Sequence, residues 1–161
     1  MFQPASPRST NKYFLPILQE TIAALLIILF LYASISKFLD FKTFVGEMNN
    51  QPFPNTLTPF LVWTLPSLEI AIALSLFFNY TRLVGLYASL FFMSLFTLYA
   101  GAILLHLFLY IPCSCGGVIR KLSWRQHLVF NLFFLCLSVM GILLKRGIFF
   151  KTIITHKNSF V

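Results

Sequence analysis

The chain has 161 residues, of which 58% are hydrophobic and only 10% charged, with 20 Phe and a mean hydropathy of +0.85. Water-soluble domains carry about 45–50% apolar and about 25% charged residues, so the composition excludes a soluble enzyme and a disordered tail and points to an integral membrane protein. Twelve Lys and Arg against four acids give a net charge of +8, but these cations flank apolar runs, where positive charge sets orientation and meets anionic headgroups. The expected partner is therefore a lipid bilayer rather than nucleic acid.

Residues 1–16 contain Pro4, Pro7 and Pro16 among Ser6, Ser9, Thr10 and Asn11 and read as a basic, mostly unstructured lead. Ile17 to about Phe38 is apolar and helix-compatible. It exceeds the roughly 7–15-residue core of a secretory signal and no convincing A-x-A site follows, so a retained first span is expected. Lys37 to Thr58 forms a polar loop with Asn49, Asn50, Pro52, Pro54 and Asn55, with room for a short interfacial helix around Phe41 to Met48. Pro59 to Phe78 is the second span, interrupted by Pro66 and carrying Glu69 near its middle. After a tight connection at residues 79–82, the third span runs from Leu83 to about Leu109. That is roughly 40 Å of helix, longer than a hydrocarbon core of about 30 Å, so it must tilt or protrude. Ile111 to Gln126 is a second loop, His127 to Leu144 the last span, and residues 145–161 a basic tail.

These elements predict an all-α bundle of four transmembrane helices over residues 17–144, with no room for a separate catalytic domain. Four spans put both termini on one side, together with Arg8, Lys12, Arg82, Lys145, Arg146, Lys151 and Lys157; Lys37, Lys42, Arg120, Lys121 and Arg125 fall on the other. The excess of cations on cytoplasmic segments predicts a cell (inner) membrane protein with its termini in the cytoplasm and both large loops outside, where disulfides persist.

The chemistry centres on Cys113-Ser114-Cys115-Gly116-Gly117, which follows Pro112. Two cysteines one residue apart must bend the chain to reach the spacing of a disulfide, and strained, exposed disulfides are the reducible kind. Gly116 and Gly117 supply backbone freedom, and Arg120 and Lys121 favour the thiolate, the nucleophilic form. The pair is open to three readings: a redox couple, a soft-metal site for an ion such as Cu(I) with His106 or Met as further ligands, or a bland structural bridge or unreactive thiols. No second Cys or His cluster supports a metal. Cys136, in the middle of an apolar span, reads as a small hydrophobe.

Glu69 is the second informative residue, because an ionisable group at membrane depth is costly and marks function by default. It is open to pairing with a base, to proton relay, or to a plain interhelical hydrogen bond. Pro66, one turn earlier, frees the carbonyl of Val62, and a kink there would widen the bundle toward its outer end. His106, before the cysteine pair, is placed either to exchange a proton with sulfur or to make an interfacial hydrogen bond. Lys37 and Asp40 lie at i, i+3 spacing, the pattern of an interfacial anchor. Glu20, Trp63 and Trp124 fit the same anchoring role.

Taken together, the four spans, Lys37-Phe38-Leu39-Asp40 with Phe44, Pro66-x-x-Glu69 and a C-x-C-Gly after the third span resemble the MauE/DoxX redox-associated membrane proteins, closest to the MauE branch, over about Ile17 to Leu144. The resemblance implies a role beside an extracytoplasmic thioredoxin-like partner in forming disulfides, as in the maturation of methylamine dehydrogenase. It implies Cys113 and Cys115 as the redox pair and Lys37, Asp40 and Glu69 as the family's polar residues. Gly116-Gly117 departs from the aromatic residue and Gly common after the second cysteine. No cofactor motif is visible; turnover would require a membrane quinone or a second protein as electron acceptor or donor. Two other classes of function stay open: a non-catalytic scaffold docking a partner, and a small-molecule or metal carrier centred on Glu69.

Overall fold

The computed structural model describes residues 10–52, 54–107 and 123–147, and every regular element among them is helical. Helix α1 spans Thr10–Leu39, α2 Phe41–Asn49, α3 Thr58–Phe77, α4 Arg82–Leu104 and α5 Trp124–Lys145, with a short 3-10 turn at Asn55–Leu57 leading into α3. Four of them, α1, α3, α4 and α5, are long and apolar enough to cross a membrane. The 20 residues of α3 give about 30 Å of helix, the thickness of the hydrocarbon core.

Local chemistry explains where the helices begin and end. α3 starts with Pro59 in its first turn, where a missing N–H costs nothing. α5 opens on a capping box: Ser123 Oγ accepts from Gln126 N, and Gln126 Oε1 accepts from Ser123 N at 2.8 Å. Asp40 separates α1 from α2, and its side chain accepts from Thr43 Oγ1 at 2.6 Å.

Three boundaries differ from the sequence expectation, one of them the start of α5 at Trp124 rather than His127, set by its capping box. α1 begins at Thr10 and runs through Pro16, so the second half of the expected lead is helical. α4 ends at Leu104 rather than near Leu109, because His106 adopts a left-handed φ of 54°. Leu107 N then donates to Ala102 O at 3.1 Å and His106 N to Ile103 O at 3.0 Å. This is a Schellman termination, built here without the usual glycine; His is one of the non-glycine residues that tolerate this conformation. α5 finishes conventionally on Gly147 at φ 66°.

The spanning helices pack as a ring, α1 against α3 and α5, and α4 against α3 and α5. Their shared core is built from Leu26 and Phe30 on α1, Leu76 on α3, Leu86 on α4 and Leu137 on α5. Small residues allow the closest approach: a Cβ at Gly85 would meet the backbone N of Leu76 at 2.8 Å. Ser89 and Ser138, both fully buried, share a hydrogen bond of 2.8 Å between α4 and α5. The outer faces carry Ile28, Phe60, Phe91, Leu98 and Val129, each more than 60% exposed. Apolar surface on that scale belongs in a lipid bilayer, and the chain is a multi-pass membrane protein. α2 lies on α3 at one end of the ring, where Phe44, Met48 and Val62 form a second apolar cluster.

Candidate functional site

At the end of the bundle covered by α2 the helices diverge around a cavity of about 330 Å³, within the range of about 300–1,000 Å³ typical of small-molecule sites. All five helices contribute. Phe30, Phe44, Leu65, Met93 and Phe96 supply apolar and aromatic wall, and the polar lining comes from Lys37, Gln51, Glu69, Tyr99, His127 and Asn131.

The floor is an ion pair. One turn from the C-terminus of α1, Lys37 points inward and its Nζ donates to Glu69 Oε1 at 2.6 Å; the side chains are 10% and 2% exposed. Nζ also donates to the carbonyl of Ala33 at 3.3 Å and lies 5.9 Å from the centroid of Phe44. An ammonium carries three donors, so the two hydrogen bonds leave a third. Glu69 Oε2 is buried without a hydrogen-bond partner among the described residues. Ser34 Oγ, beside this pair and fully buried, donates to the carbonyl of Pro66 at 3.0 Å, tying α1 to α3.

The cavity's rim is aromatic and amide-bearing. Tyr99 on α4 hydrogen-bonds Gln51, which follows α2, and Gln51 Nε2 donates to Glu47 O at 3.0 Å. Trp124 at the start of α5 stands edge-on to Tyr99, with ring centroids 6.2 Å apart, and lies 5.8 Å from the His127 ring. The last turns of α4 and the first turns of α5 thus both belong to the cavity wall.

Among the expected site residues, the structure brings Lys37 and Glu69 into direct contact. Lys37, expected as an interfacial anchor, is instead a buried partner of the membrane carboxylate. Asp40 stays at the surface side of the α1–α2 junction, bonded to Thr43. His106 is exposed in the turn after α4 and is not part of the cavity wall. Cys113 and Cys115 lie outside the described residues, as do Arg120 and Lys121. Cys136 is exposed on the outer face of α5. Gln51, Tyr99 and His127 were not singled out from sequence; Tyr99 and His127 sit in helices whose other residues are mostly apolar, and that contrast is the signal that points to them.

The methylamine utilisation protein MauE family matches residues 15–144. The chain belongs to the MauE family. No curated protein and no solved structure matches it. The match runs from the start of the first span to the last residues of the fourth, so it takes in the whole cavity and the α4–α5 connection of this MauE-family chain.

Proposed function

We propose that this MauE-family membrane protein, in the wider manner of DoxX-like redox-associated proteins, exchanges disulfides through Cys113 and Cys115 with an extracytoplasmic thioredoxin-like partner. The observation that carries the reading is the Cys113-Ser114-Cys115-Gly116-Gly117 sequence on the connection between α4 and α5. The two helix ends that this connection joins bear Tyr99, Trp124 and His127 on the cavity wall. The family's link to methylamine utilisation supports a role in maturing a secreted or periplasmic protein of that pathway. The seven-to-five excess of cations on the side of the termini supports an extracytoplasmic position for the exchange.

In the exchange, a thiolate of the partner attacks one sulfur of the Cys113–Cys115 bridge, and the other sulfur leaves as a thiolate. The partner's second thiolate then breaks the mixed disulfide, leaving the partner oxidised and the pair reduced. Run in reverse, the same steps reduce the partner and close the bridge. Two electrons and two protons move in either direction, so turnover requires a two-electron donor or acceptor.

The test is a pair of single variants, Cys113→Ser and Cys115→Ser, expressed with the full chain in its native membrane. One of them should accumulate a reducible covalent adduct with a thioredoxin-like protein, and the double serine variant should form none. If neither single variant traps a partner and the double variant still supports maturation, the cysteines do not carry the function and the chain acts as a scaffold.

A further inference from the structure

We propose that the cavity over the Lys37–Glu69 pair binds the ring of a membrane quinone, the two-electron carrier that the disulfide exchange requires. The inference rests on the thiol–disulfide reading for its direction of electron flow, but the binding site stands on the geometry of the cavity.

Four features select the ligand. The first is size: about 330 Å³ accommodates one substituted ring, at the small end of ligand cavities of about 300–1,000 Å³. The second is surface, since a flat molecule gains most from walls such as Phe30, Phe96 and Trp124. The third is access: Leu95 lines the cavity and is 47% exposed on the outside of the bundle, so the site reaches the lipid-facing flank from which a hydrophobic carrier would enter.

The fourth feature decides the chemistry. Lys37 and Glu69 neutralise one another, so the site asks for an uncharged ligand. Its lining nevertheless includes a donor and an acceptor from one pair: Lys37 with its third N–H, and Glu69, whose Oε2 is buried and unpartnered among the described residues. An oxygen that is a carbonyl in one state and a hydroxyl in the other satisfies each in turn. A quinone carbonyl accepts from Lys37; the hydroquinone O–H donates to Glu69 Oε2. Oxidation of the Cys113/Cys115 dithiol to a disulfide releases two electrons and two protons, and reduction of a quinone to a hydroquinone consumes both, so the two half-reactions balance without a further reactant.

The test uses the full-length chain in lipid nanodiscs, titrated with decylubiquinone and followed by quenching of tryptophan fluorescence, since Trp124 stands in the cavity wall. Saturable quenching is expected, unchanged in Cys113→Ser/Cys115→Ser and weakened at least tenfold in Lys37→Met/Glu69→Leu, a pair of similar bulk without polar groups. Decylbenzene, which lacks the two oxygens, should not compete. Absence of saturable quenching, equal affinity in the Lys37→Met/Glu69→Leu chain, or competition by decylbenzene would overturn the site. A measurement independent of variants is photolabelling of the wild-type chain with an azidoquinone: label is expected on peptides covering Met93–Ala100 and Trp124–Asn131, and label confined to other segments would contradict it. Binding without quinone reduction by the pre-reduced wild-type chain would leave the site standing and overturn the assignment of the quinone as electron acceptor of the Cys113/Cys115 pair.

Discussion

Two ion pairs of the described residues, Lys37–Glu69 and Arg82–Glu20, lie at opposite ends of the bundle and are built differently. Arg82 at the start of α4 is buried and reaches Glu20 on α1, but Glu20 is 62% exposed and Arg82 Nε also donates to the carbonyl of Leu76 at 3.1 Å. That carboxylate keeps its contact with solvent or headgroups, and the guanidinium fastens three helices at the point where α3 turns into α4. Lys37 and Glu69 are both withdrawn from the surface, and Glu69 keeps one oxygen without a partner among the described residues. The first arrangement is what a staple requires. The second retains a buried, under-satisfied charge beside a cavity, which a purely structural contact would not need, since apolar residues of similar volume often serve as well or better.

The largest effect should come from splitting the buried pair. Lys37→Ala strands the Glu69 carboxylate in the bundle and is expected to destabilise the protein by about 3–5 kcal/mol, whereas Lys37→Met with Glu69→Leu should recover most of that loss. Unfolding in mild detergent, followed by helical circular dichroism, distinguishes them; a single variant as stable as the double would mean that Glu69 is not buried as described. Next in size is Gly85→Ala, whose methyl would press on the backbone of Leu76 and should cost about 1–3 kcal/mol in the same assay. It tests whether the Arg82 end is a tightly packed junction.

Glu20→Gln removes the exposed half of the other pair and should cost no more than about 1 kcal/mol, in keeping with partly solvated ion pairs. A loss as large as that of Lys37→Ala would erase the distinction between the two ends. The smallest effect is a gain: His106→Gly relieves the left-handed backbone after α4 and should stabilise by about 0.5–1 kcal/mol while leaving quinone binding unchanged. A destabilised His106→Gly chain would show that the imidazole makes a contact beyond terminating the helix.

Much of the architecture is written in the sequence. Apolar run length gives four spans, Pro59 marks the start of α3, and Phe41 to Met48 is visible as a short helix because polar and proline-rich stretches isolate it. Glu69 announces itself as a carboxylate among apolar neighbours. What sequence does not give is the partner. Lys37 and Glu69 are 32 residues apart, and only the packing of α1 against α3 turns a lysine at a helix end inward to meet it. The end of α4 was misplaced for a local reason: an apolar run continues through Leu109, and no glycine announces that His106 will take the left-handed conformation. The Ser123-x-x-Gln126 capping box lies in the stretch expected as a loop and fixes the start of α5 three residues ahead of the apolar run. The cavity depends on residues contributed by all five helices, so no single segment carries its signature.

The central claim, that the chain exchanges disulfides, is tested most directly by the redox state of Cys113 and Cys115 in native membranes. Alkylation with a mass-tagged maleimide across a graded series of glutathione or dithiothreitol buffers would report it. The account predicts a pair that cycles between bridge and dithiol at a potential well above the roughly −300 mV below which structural disulfides lie. A pair locked as a bridge throughout the series, or reduced and unable to close, would contradict it.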